Sequence, residues 1–242
     1  MKKVLLSLLP LCLSLPVLAA DALPQAVANQ YQALGGQENP TWQKADNPGF
    51  IYTACLNQQT DAQQRIVVMC GDGDENHNSG VDTGFFDIWY LDNDRVTAEK
   101  TIEGGGRYGS SGSASAVKIG SRWGVVLETG YALQGFVQTF YSFYVPKERD
   151  VVAKLQDVEK LAHLPVYSSN AGYCDPSVVE GCKLDELVST VAFADNETEP
   201  YPDMIIHATG MLEGKKIDKS WTQAFDRKTG EYPIPKEIDI GY

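Results

Sequence analysis

From residue 50 onward the chain repeats one pattern. Short runs rich in Val, Ile, Phe, Tyr and Thr are each closed by a cluster of Gly, Asn, Asp or Ser. Branched and aromatic side chains suit a pleated surface, and the punctuating residues suit tight turns. The runs fall at 50–56, 65–70, 84–91, 95–103, 116–119, 123–128, 134–145, 184–193, 204–208, 219–225 and 231–234. Their spacing predicts a mainly β protein of short antiparallel strands, propeller-like or a sandwich. The run 134–145 carries large side chains on both faces: Phe136, Phe140 and Tyr144 on one, Val137, Tyr141 and Phe143 on the other. Such a strand is covered on both sides and belongs inside a sheet. Two or three peripheral helices complete the expectation. One spans 24–34, from Pro24 through Val27, Tyr31 and Leu34 to Gly35 and Gly36. Another starts at Pro146 and carries Val151, Val152, Leu155, Val158 and Leu161 at helical spacing until Pro165.

The first residues predict export. Lys2 and Lys3 precede an apolar run, 4–18, which Pro10 and Pro16 interrupt and Ala19 and Ala20 follow. That is the layout of a cleaved secretory signal, too short to span a bilayer. Cys12 follows Leu11 rather than a small residue, so lipidation is not expected. Treating 1–19 as the signal, with cleavage near Ala19 or Ala20, leaves 20–242 as a single mainly-β domain, periplasmic or secreted. Four cysteines remain: Cys55, Cys70, Cys174 and Cys182. An even count in an oxidising compartment argues for two disulfides, with three connectivities open. Each of Cys55–Cys70 and Cys174–Cys182 brackets a turn-rich segment, which favours that pairing. The formal net charge is −12, and it becomes more negative once Lys2 and Lys3 leave. An acidic surface repels nucleic acid and anionic lipid, and it suits cations or a basic envelope protein.

Two polar stretches share a spacing. Asp74, Asn76, Asn78 and Asp82 stand at positions 1, 3, 5 and 9 of one; Asp195, Glu197, Glu199 and Asp203 do so in the other. Alternate residues of a tight loop can turn their oxygens toward one centre, and Ca²⁺ takes roughly six to eight of them. Both stretches resemble the calcium loops of FG-GAP and VCBS repeats, where DxDxDGxxD precedes a strand. The resemblance implies short antiparallel strands around each loop and Ca²⁺ as the ligand. Ser79 and Pro200 stand where that pattern has glycine, and Glu197 and Glu199 are longer than its usual ligands. Asp, Asn and Gly also form solvated turns without any metal, so that reading stays open.

Catalytic signatures do not converge. Gly104, Gly106 and Gly109 fit GxGxxG, but strand-like runs follow instead of the helix a phosphate would need, so 104–115 reads as a flexible loop. Ser115 and Lys118 fit SxxK, and 228–230 reads KTG, as in penicillin-recognising serine enzymes. On a strand, however, Ser115 and Lys118 point to opposite faces. His77 in the first acidic loop, His163 at a helix end and His207 in a strand form no HExxH and no close pair. Asp72, Asp82 and Asp87 would serve a carboxylate-dependent hydrolase only if two of them faced each other across a cleft. Ser111 and Gly112 resemble the SGxxY loop of some periplasmic lysozyme inhibitors, with Ser115 in the Tyr position. The expectation is a non-enzymatic periplasmic protein that binds another macromolecule. Its specific form is an inhibitor or immunity protein against an envelope-directed enzyme. A calcium-stabilised structural or adhesion module and a carboxylate hydrolase are the alternatives.

Overall fold

Within each of two sheets, every strand pairs antiparallel with its neighbour in sequence. The computed structural model describes residues 22–35, 39–147, 155–174, 177, 180–196 and 198–239. The first sheet is a six-stranded meander: β1 (Gln32–Gly35), β2 (Thr41–Lys44), β3 (Asn47–Gln59), β4 (Gln64–Gly73), β5 (Phe85–Asp92) and β6 (Arg95–Glu103). The second has seven strands: β7 (Ser113–Ile119), β8 (Arg122–Leu133), β9 (Phe136–Pro146), β10 (Val158–Ser169), β11 (Glu186–Phe193), β12 (Met204–Leu212) and β13 (Lys215–Gln223). The chain passes from one sheet to the other once, through the glycine-rich segment 104–112.

Alternation along the strands builds three cores. Ile66, Val68, Phe86, Ile88 and Tyr90 face the second sheet and meet Val125, Leu127 and Tyr144. Their neighbours Val67, Met69, Trp89 and Leu91 face the other way. There the short helix α1 (Gln25–Ala28) and the residues after it bring Val27 and Tyr31 onto the sheet. On the far side of the second sheet, Phe143, Val145, Leu161 and Ile206 pack beneath Tyr232 and Ile238 of the last segment. The result is four layers: N-terminal segment, sheet, sheet, C-terminal segment. β9 lies inside its sheet, as predicted, and is buried on both faces at Phe143, Tyr144 and Val145, whereas Val137 near its start is exposed.

Four expectations are corrected. No propeller closes; two open sheets stack. Two or three helices are not present among the described residues, where α1 is a single turn of four residues. Of the rest of the predicted 24–34 helix, residues 29–31 form a turn and residues 32–34 enter β1, whose residues are all exposed. With only Val27 and Tyr31 to bury, a longer helix there had little to gain. In the second predicted helix, Pro146 ends β9, and Val158 and Leu161 belong to β10. Val151 and Val152 lie outside the described residues. A strand buried on both faces is an unbroken apolar run, which periodicity alone does not separate from a helical stripe. A register shift between Lys160 and Ala162 then places Leu161 and Ala162 in the same core. Pro165 is tolerated inside β10 because β11 pairs only with residues 167–169. Finally, 231–234 forms no strand. A bridge joins Asp226 to Glu231, and the Tyr232 N–H donates to the Leu161 carbonyl at 2.7 Å.

Cys55 is bonded to Cys70 and Cys174 to Cys182, with Cα–Cα distances of 5.7 and 5.6 Å. The ladder between β3 and β4 shifts register at Cys55, and this bulge turns the residue toward Cys70 on the neighbouring strand. The predicted signal, 1–19, lies outside the described residues. Among the described residues no helix is long and apolar enough to cross a membrane.

Candidate functional site

The first acidic loop and the glycine-rich segment form one unit. Five backbone hydrogen bonds join 73–84 to 104–112: Gly73 to Gly109, Gly84 to Ser110, Gly104 to Gly84, Tyr108 to Ser79 and Gly109 to Asp82, all 2.7–3.1 Å. Asp72 Oδ1 accepts from both the N–H and the hydroxyl of Ser111 at 2.8 Å. The segment expected to be flexible is therefore packed, with Gly104, Gly106, Gly109 and Ser111 buried. Gly109 has φ of +73°, and a Cβ there would lie 2.2 Å from the His77 carbonyl oxygen, so only glycine fits.

Two of the four predicted ligands of this loop, Asp74 and Asp82, cap its own backbone. Asp74 Oδ1 accepts from the Asn76 N–H at 2.9 Å and lies 2.9 Å from His77 Nδ1. Asp82 Oδ2 accepts from the Ser79 N–H at 2.8 Å. The His77 contact, then the Asn76 N–H, hold the Asp74 carboxyl below its ordinary range; the Ser79 hydroxyl and N–H do the same for Asp82. Asn76 and Asn78 are exposed. Among the described residues no group of three or more His, Cys, Asp or Glu is placed to hold a metal ion.

At the tip stand two apolar side chains that sequence reading missed. Val81 is 83% exposed and Tyr108 66% exposed, and the Tyr108 ring lies against Gly80. Tyr108 has φ of +56°, a left-handed conformation that costs a non-glycine residue about 1 kcal/mol or more. The sequence signal was a lone Val in a polar loop and a lone Tyr among glycines.

The other predicted site residues are dispersed. Alternating strand directions put Asp195, Glu199 and Asp203, between β11 and β12, at the opposite end of the sandwich from Asp74. There the Ser121 N–H donates to the Glu199 carbonyl. Glu197 lies outside the described residues. Asp87 pairs with Met69 across the ladder and so lies on the opposite face from Asp72. It is 1% exposed and accepts from Tyr31 Oη at 2.6 Å and from Thr101, with Lys44 Nζ at 3.2 Å. Burial, then the Asp87 charge, push the Tyr31 phenol pKa upward; burial pushes Tyr52 up to about 12. This cluster pins the N-terminal segment to the sheet.

His163 lies within β10, not at a helix end. Its Nδ1 is 2.8 Å from Ser142 Oγ, in a cleft of about 260 Å³ between the sheets, and its ring stacks on Phe140. The pair sits directly across the ladder. His207 and Ser220 repeat the same arrangement at 2.9 Å, exposed on the face of β12 opposite Ile206 and Ala208. Cross-strand pairing accounts for both, and Ser142–His163 has no carboxylate bonded to its imidazole among the described residues.

These features define a disulfide-bonded, two-sheet β protein with a projecting double loop. No family model matches the chain, and neither a curated protein nor a solved structure is significantly similar to it.

Proposed function

We propose that the protein recognises another macromolecule through the double loop, as an inhibitor or immunity protein against a basic, envelope-directed enzyme. The observation that carries this reading is Tyr108 and Val81 held out to solvent on a hydrogen-bonded backbone. A rigid aromatic anchor loses little entropy on docking, and such anchors dominate interface energies. Asp74, Glu75, Asp82 and Glu103 surround it with negative charge, against Arg107 alone on the same unit. Two disulfides suit the oxidising compartment in which such a partner works.

The test is inhibition of purified basic wall-degrading enzymes, measured as clearance of cell-wall suspensions. Wild type should slow at least one of them, and Tyr108→Ala should weaken that inhibition by roughly tenfold or more. If no enzyme is slowed, or if Tyr108→Ala inhibits as well as wild type, the reading fails. The rival reading, a calcium-stabilised structural or adhesion module, needs Asp74, Asn76, Asn78 and Asp82 to turn free oxygens onto one cation.

A further inference from the structure

Beside the double loop, the end of β6 and one face of β8, β9 and β10 border a cleft of about 260 Å³. Phe86, Ile102 and Leu127 supply an apolar floor. Leu127 and Thr129 on β8, and Ser142 and Tyr144 on β9, reach it because alternate residues of a strand share a face. His163 lines it directly across the ladder from Ser142. The imidazole is held flat against Phe140, with 4.9 Å between ring centroids and 11° between planes. Gly104 and Gly105 line another side. A Cβ on Gly105 would lie 2.8 Å from Thr129 Oγ1, so this glycine keeps the space over that hydroxyl open.

The polar groups of the cleft match hydroxyls rather than an ion. Thr129 is 8% exposed, and among the described residues its Oγ1 has no hydrogen-bond partner. A buried hydroxyl left unpaired is costly, and a ligand hydroxyl that gives or takes one bond removes that cost. His163 Nδ1 is 2.8 Å from Ser142 Oγ, and its Nε2 has no partner among the described residues. A neutral imidazole with one nitrogen engaged offers the other as a single donor or acceptor. The lysine and the carboxylate of the lining are already engaged. Lys160 Nζ pairs with Glu231 Oε1 at 3.2 Å, and Glu103 Oε1 accepts from the Thr83 hydroxyl at 2.8 Å. Separate neutral hydrogen-bonding groups over an apolar floor suit a polyhydroxylated ring, with an apolar C–H face and a rim that gives and accepts hydrogen bonds. The volume lies just below the usual range of small-molecule sites, roughly 300–1,000 Å³, which suits one ring rather than a chain. We infer that this cleft binds a single ring of a neutral sugar, its C–H face on Phe86, Ile102 and Leu127 and its hydroxyls on Thr129 and His163. The strands and the Phe140 ring fix both polar groups, so the site is formed before the ligand arrives.

The test is a titration of the full chain with glucose, galactose and N-acetylglucosamine in turn, at one neutral pH. The readout is the ring C–H resonance of His163, one of 3 histidines, assigned with His163→Gln. A saturable shift with at least one sugar is expected, with His77 and His207 unmoved. Thr129→Val removes the hydroxyl and nearly keeps the shape. It should hold the melting temperature and weaken binding by roughly fivefold. Gly105→Ala, at an exposed position, sets a methyl over the same hydroxyl and should weaken binding at least as much. Linear, unsaturated shifts with all three sugars would leave the hydroxyl to water and overturn the inference. So would saturable binding that Thr129→Val leaves unchanged.

Discussion

Asp87 is the residue whose environment demands most of its neighbours. A carboxylate 1% exposed is tolerated only because Tyr31, Thr101 and Lys44 all converge on it. Lys44 is itself only 17% exposed, so removing the carboxylate strands a cation. Asp87→Ala should lower unfolding free energy by about 3–5 kcal/mol, read from urea denaturation. A loss under about 1 kcal/mol would mean that water satisfies the cluster. His163 sets a pH response. Burial, then the Lys160 charge, lower its pKa in the folded protein. The unfolded chain takes up a proton near pH ~6.5 that the folded protein resists. Below that pH the unfolded state binds more protons, so stability falls as pH drops through it and levels off under the folded pKa. His163→Gln should flatten this part of the curve of melting temperature against pH. An unchanged slope would place the effect on another group.

At the scale of elements, the strands were legible because their side chains alternate and their turns carry Gly, Asn and Asp. β6 spans 95–103 as expected, β4 extends its predicted run by one residue at its start and three at its end, and β5 is shifted by one residue. The failures share a cause. β10 is buried on both faces, so Val158 and Leu161 read as a helical stripe, and Tyr31 is held by Asp87 from a distant strand. Neither tertiary partner is visible in a local window. The double loop was half legible: the oxygen-bearing residues of 74–82 were picked out from their spacing, but the backbone bonds that seat 104–112 on them, and the caps from Asp74 to the Asn76 N–H and from Asp82 to the Ser79 N–H, were not. Because Asp74 and Asp82 are already engaged in this way, millimolar Ca²⁺ should leave the melting temperature of chelator-treated protein unchanged. A rise that Asp74→Ala abolishes would favour the calcium reading instead. The disulfides differ in the loops they close, with sequence separations of 15 and 8. Replacing Cys55 and Cys70 together by Ala should cost about 3 kcal/mol, and replacing Cys174 and Cys182 less. Equal losses in denaturant titrations would contradict the loop-length argument.

At the scale of the whole molecule, two meanders joined once leave two distinct ends. One carries the acidic double loop with Tyr108 and Val81; the other carries the turns at Arg65, Arg95 and Arg122. A basic enzyme steered by the net charge of −12 should associate more slowly as salt rises, with a smaller change in dissociation. A salt-independent association rate would remove charge from the recognition. The most direct test is hydrogen–deuterium exchange on the complex with an enzyme that the protein inhibits. Recognition through the double loop predicts new protection at 75–83 and 105–111, and none at the turns around Arg65, Arg95 and Arg122. Protection confined to those arginine-bearing turns, with 75–83 and 105–111 exchanging as in the free protein, would contradict it.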